Sequence, residues 1–180
     1  MPRALAEGKT KVALLSVKPA DPYAPTVAEL EAGLDISCAV MSSDYSVGAA
    51  ASETVDEKPL CVEGNAVTFG ASNATIEFTL FREFNEDGSP VEPLDDEIGD
   101  AAFQATKTKG TRLWIYQRET AKKSRDAWEA GDEVDGFEFI TDHPQQVDRT
   151  GYVKRRIVGG FQDLYVNGVV AAGAGGGSGE

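Results

Sequence analysis

The sequence predicts a mainly β fold: a β-sandwich or barrel of about seven or eight strands with one flanking α-helix. Three observations carry this. Segments 75–83, 111–117 and 134–140 alternate side chains with the period of two that a half-buried strand requires. Only one extended stretch, beginning near Asp95, repeats apolar residues at helical spacing. No internal repeat and no linker divides the 180 residues, so the chain reads as a single domain over residues 10–172, with an N-terminal arm (1–9) and a flexible Gly-rich tail (173–180).

Taken in order, residues 10–17 form a first strand, ended by Pro19 and Pro22. Thr26 and Glu29 have the spacing of a capping box, and Gly33 stands where a single helical turn ends. A second strand is expected over 34–40. Residues 42–59 are polar and rich in Gly, Ala and Ser, which reads as loop with a short extended piece. Segment 75–83 is the clearest strand: Ile76, Phe78 and Leu80 point one way, and Glu77, Thr79 and Phe81 the other. Residues 65–70 are expected to pair with it as a hairpin through Ala71-Ser72-Asn73. An irregular acidic segment, 83–97, follows.

The helix is expected from Asp95 to Gly110, with Asp95 and Asp96 favourable at its N-terminus and Lys107 and Lys109 at its C-terminus. Leu94, Ile98, Ala101, Ala102 and Ala105 form its buried stripe, and Phe103 points roughly opposite. Strands return at 111–117 and 134–140, separated by a charged segment, 122–131, with room for a helical turn. Two last strands, 151–161 and 164–170, are expected to turn at Gln162-Asp163.

Composition excludes several function classes. Apolar residues make up 41% of the chain, enough for a core and too many for a disordered protein. No run approaches the roughly 20 apolar residues of a membrane span, and the opening residues lack the apolar stretch of a secretion signal, so a product made and kept in a cytoplasm is expected. In that compartment Cys38 and Cys61 are expected to stay thiols, Cys38 as a small core residue, although sequence leaves their pairing open. A net charge of −13 argues against a general nucleic-acid binder, which needs cations facing phosphate.

The chemistry-bearing residues form no catalytic constellation. The one histidine, His143, precedes Pro144 in a loop, and with the two cysteines it lacks zinc-site spacing. No nucleophile elbow, His-Glu-x-x-His or phosphate-binding loop occurs, and the glycines of the tail have no helix after them. No enzyme activity, metal or cofactor is expected. Asn85-Glu86-Asp87-Gly88 departs from a calcium loop.

Charge is nonetheless segregated. Residues 83–100 hold eight carboxylates and no Lys or Arg, whereas 107–125 hold seven cations against Glu119 alone. A molecule with an acidic and a basic block can meet copies of itself head to tail, and such heterologous contacts close into rings or grow into filaments. The residues expected at contacts between subunits are therefore Asp95, Asp96, Glu97 and Phe103 on one side, and Lys122, Lys123 and Arg125 on the other.

Several stretches resemble the major tail proteins, or tail tube proteins, of actinobacterial long-tailed bacteriophages (siphophages). They are Thr10-Lys11-Val12-Ala13-Leu14-Leu15 with Pro25-Thr26-Val27-Ala28-Glu29-Leu30, then Ala51-Ser52-Glu53-Thr54-Val55-Asp56-Glu57-Lys58-Pro59-Leu60-Cys61 with Gly64-Asn65-Ala66, and the Gly151-Tyr152 strand with the Gly/Ala-rich end. The resemblance implies a tail-tube-like β-sandwich with one flanking helix. It also implies hexameric rings stacked into a hollow tube, with inner strands forming a continuous barrel through which double-stranded DNA is ejected without specific binding. Implied partners are further copies of the chain and the tape measure, distal tail and tail terminator proteins; the implied location is the virion tail, assembled in the host cytoplasm. An acidic wall suits this duty, since cations would drag on phosphate. Two rivals remain: an immunoglobulin-like decoration or adhesin module, and a related tail-completion protein.

Overall fold

The computed structural model describes residues 5–55, 57, 60–61, 63–64, 67–94 and 97–173. It is mainly β. The strands are β1 (Thr10–Leu15), β2 (Leu34–Asp35), β3 (Ser46–Ala50), β4 (Thr54–Val55), β5 (Thr68–Phe69), β6 (Asn73–Phe81), β7 (Arg112–Glu119), β8 (Glu133–Thr141), β9 (Gln145–Gln146) and β10 (Lys154–Val169), with two short helices, α1 (Val27–Glu31) and α2 (Ala101–Thr106). Strand order in the large antiparallel sheet is β2-β1-β7-β8-β10-β6-β3, with β9 also on β10; β4 and β5 form a separate pair.

The 16-residue β10 makes the architecture. Its first part, Lys154 to Val158, pairs with β6, and its second part, Gly159 to Val169, pairs with β8. One strand thus serves two half-sheets that face each other across a common core. Val12, Leu14, Leu113, Ile115, Phe137 and Phe139 from the larger half meet Ile76, Phe78, Leu80 and Ile157 from the smaller. The Phe78 and Phe139 rings meet edge to face at 6.4 Å. The other face of the larger half is buried too: Trp114, Tyr116, Trp128, Val134 and Tyr165 pack there with Leu30 of α1.

Gly159 marks the point where the halves part. A Cβ there would lie 2.6 Å from Phe139 Cδ2 and 2.8 Å from Ile76 Cγ2, both in the buried core. Gly159→Val is therefore expected to overpack the junction and cost about 1–3 kcal/mol. Thermal melting checks this; an unchanged midpoint would mean that the halves do not pack closely there.

Much of the expected element order holds, with five corrections. The second strand stops at Asp35, because the Asp35 carboxylate accepts from the Ser37 backbone N–H and hydroxyl and turns the chain. Cys38 lies in that turn, exposed, as is Cys61. The hairpin partner of β6 is β3, not residues 65–70; Thr68–Phe69 pairs with Thr54–Val55 instead, and Asn65 and Ala66 lie outside the described residues.

The helix is only Ala101–Thr106. Gly99 adopts φ +51° with its Cβ position 2.6 Å from the Val91 carbonyl, a backbone that cannot continue a helix from upstream. Residues 122–131 contain turns but no helix. Finally, the two last strands are one: Gln162 sits in a bulge between Phe161 and Asp163. The capping box at Thr26 and Glu29 is present as expected.

Candidate assembly surfaces

The smaller half-sheet, ordered β3-β6-β10-β9, has one buried face and one open face. Register puts Ser46, Gly48, Thr75, Glu77 and Arg156 on the open side, opposite Val47, Ile76 and Ile157. By the same register Thr79, Phe81 and Val158 share this side, with Thr79 buried and its hydroxyl donating to Asp44, so the small and polar part of the face is the stretch of Ser46, Gly48, Thr75 and Glu77. Its two cations are already matched: Arg156 pairs with Glu77, and Lys154 with Asp148 at 2.8 Å.

The sheet edges differ in how they are guarded. β2 and β9 are two residues long, and β10 carries bulges near Gln162 and between Tyr165 and Gly168 where its second half runs along the border. Each is a device that discourages pairing with another chain. β3 has none of them. Its Ser46-Val47-Gly48-Ala49-Ala50 segment is uncharged, free of proline and in unbroken register with β6.

Charged groups expected at the surface are largely engaged inside the chain. Arg118, fully buried, donates to Asp132 Oδ2 (2.8 Å) and to the carbonyls of Ala127, Lys123 and Asp126, and lies over the Trp128 ring. This arginine gathers residues 123–132 into a fixed loop. Lys122 is held between Glu129 (2.7 Å) and Asp132 (2.6 Å). Arg112 pairs with Glu138, and Lys109 with Asp142 at 3.2 Å. Lys123 and Arg125 are exposed and have no carboxylate within ion-pair distance among the described residues.

On the acidic side, Asp95 and Asp96 lie outside the described residues, and exposed Glu97 makes a small bridge with Leu94. Phe103 does not stand clear of its own chain. It packs against the core, and the Arg82 guanidinium sits 3.7 Å from its ring centroid. Leu94, expected in the buried stripe, is exposed; Ile98, Ala102 and Ala105 do pack inward. The acidic loop is anchored by Asp100, which accepts Arg82 Nε and Nη2 at 2.7 and 2.9 Å, Gln104 Nε2 at 2.7 Å and the Glu83 N–H. Sequence reading counted Asp100 and Arg118 only as members of charge blocks.

Burial pushes the carboxyls of Asp100, Asp132 and Glu138 up, but the donors around each outweigh it and hold all three below the usual carboxylate range. For Asp100 the leading donor is Arg82, for Asp132 Lys122, and for Glu138 Tyr165. The unfolded chain thus binds more protons than the folded one at acid pH. Stability from these groups is fully present above the ordinary carboxylate range, about pH 4, and is lost as pH falls through their lower folded values. Urea midpoints are expected to be flat from about pH 6 to 8 and to fall steeply below about pH 4. A midpoint independent of pH down to about pH 2 would contradict this.

The chain matches the family described as phage tail tube protein over residues 1–174. It belongs to that family. A comparison with curated proteins finds no match. Membership of the tail tube proteins gives the sheet a structural role in the virion tail, where copies associate with one another and with other tail proteins. No described helix is long and apolar enough to cross a membrane.

Proposed function

We propose that copies of the chain join side by side through β3 to form hexameric rings, and that the rings stack into the tube of a long-tailed phage. The observation that carries this reading is the unguarded β3 edge. A neighbour's β3 adds at the other border of the smaller half-sheet, β9, so that the sheet continues from copy to copy and its edges disappear. The open face of Ser46, Thr75 and Glu77 then lines the lumen. Its cations are already paired with carboxylates, which leaves little to grip phosphate as DNA is ejected. Tape measure protein inside, and distal tail and terminator proteins at the ends, complete the assembly in the host cytoplasm.

Electron microscopy of the purified chain tests the reading. Six-fold rings or tubes are expected. Single particles at every concentration would favour a decoration or adhesin module, and one closed ring that never stacks would favour a tail-completion protein.

A further inference from the structure

One row of cross-strand partners runs across the smaller half-sheet from border to border. Val40 lies opposite Leu80, Leu80 opposite Arg155, and Arg155 opposite Gln146. At the Val40 end, beside β3, a cavity of about 420 Å³ opens between the half-sheets. It is lined by Val40 and Tyr45 from one half, by Thr10, Val12 and Glu119 from the other, and by Glu7 of the N-terminal arm. At the Gln146 end a groove of about 330 Å³ is lined by Gln146, Arg149, Lys154 and Arg155. Cavity and groove are therefore level with each other on opposite borders of one half-sheet.

The two places carry opposite charges that the chain does not use itself. Glu7 and Glu119 are exposed, and neither has a cation within ion-pair distance among the described residues. Lys9 and Lys11, on either side of Thr10, are spent on the Ala121 carbonyl and on Asp35, each at 2.6 Å. In the groove Lys154 is held by Asp148, whereas Arg149 and Arg155 have no carboxylate partner among the described residues. Both places are held in shape. The Tyr45 hydroxyl donates to Gln117 Oε1 at 2.7 Å, which ties the start of β3 to β7 two residues before Glu119, and the Ser124 N–H donates to the Gly8 carbonyl beside Glu7. On the other border Asp148 accepts from the Thr150 N–H and hydroxyl and from Lys154, which fixes the turn that carries Arg149.

Backbone pairing alone leaves the register between copies open. β9 offers two residues, and β3 is a run of small uncharged side chains along which a partner slides at little cost. We infer that Arg149 and Arg155 of one copy reach into the cavity beside β3 of a second copy and pair there with Glu119 and Glu7, which sets the register of copies around the ring. The inference rests on the ring reading and names the side chains that choose among the registers its strands allow. Each copy gives its groove to one neighbour and its cavity to the other, a heterologous contact that closes on itself. Glu119, the lone anion of the basic block 107–125, is an acceptor in this contact, and the cations come from the turn before β10.

The test uses two charge-reversed chains. One carries Arg149→Glu and Arg155→Glu in the groove; the other carries Glu7→Arg and Glu119→Arg at the cavity. Each alone is expected to need at least about tenfold more protein to assemble than the wild type in sedimentation assays, while melting like it. An equimolar mixture is expected to recover assembly, because chains that alternate around a six-membered ring put opposite signs at every junction. Wild-type-like assembly of either variant alone, or a folded mixture that stays unassembled, overturns the inference and leaves the ring reading standing. A wild-type chain that never assembles overturns both. Where a reversed chain does not fold, Arg149→Cys with Glu119→Cys, in a Cys38→Ser and Cys61→Ser background, reads the same contact. Treating its assemblies with a short bis-maleimide crosslinker is expected to give a ladder of linked chains that ends at six. Assemblies that give no ladder, or one that runs past six, overturn the inference.

Discussion

Arg118→Met is expected to lower the unfolding free energy by about 2–3 kcal/mol, on the scale of losing hydrogen bonds from a buried charged donor. The guanidinium is fully buried and supplies four hydrogen bonds, one to Asp132 and three to loop carbonyls. Met fills much of the apolar stem's space and supplies none of the donors. Asp132 keeps Lys122 and the Glu129 N–H, so its charge is not stranded. The loss falls mostly on the carbonyls of Asp126 and Ala127, which lose their side-chain donor, while the Lys123 carbonyl keeps the Asp126 N–H. Arg118→Lys is expected to recover less than half of it, since an ammonium cannot span four acceptors in a planar fork. Urea denaturation gives both values; a change below about 1 kcal/mol for Arg118→Met would show that the loop holds without its arginine.

Asp100→Ala is expected to cost about 3 kcal/mol or more, for the mirror-image reason. Here the cation is stranded: Arg82, mostly buried, loses a two-pronged carboxylate and keeps only its contacts with the Phe84 and Phe103 rings. The Glu83 N–H and Gln104 amide lose an acceptor as well. Because Asp100 joins the end of β6 to the start of α2, hydrogen exchange should quicken through residues 83–106 before the rest of the chain. Uniform exchange with unchanged stability would contradict the anchoring role.

These two groups mark where sequence reading stopped. Strands β1, β6, β7 and β8 were legible because one face of each repeats apolar residues every second position, as in Ile76, Phe78 and Leu80. The Thr26–Glu29 box was legible because capping is local. Partner choice is not local. Thr68–Phe69 reads as a strand, and nothing in it says that it pairs with Thr54–Val55 rather than with β6. Gln162-Asp163 is turn chemistry, yet a bulge in a long strand uses the same residues.

Arg118 could have been found. It continues the Trp114, Tyr116 parity of β7 onto a buried face, and that alternation was the available signal; counting it with the basic block hid it. The assembly surfaces were legible only as charge blocks. Which cations remain free depends on contacts such as Lys122 with Asp132, between residues ten apart, and Arg112 with Glu138, twenty-six apart.

The central claim is that this chain continues its smaller half-sheet from copy to copy through β3. Image reconstruction of the purified assembly, at a resolution that traces strands, tests it most directly. The expected result is a six-fold wall in which Ser46–Ala50 of each copy is hydrogen-bonded to the β9 border of its neighbour, with Thr75 and Glu77 facing the lumen. A tube whose copies meet through another edge, leaving β3 unpaired, would contradict it, as would a chain that remains single under every condition tried.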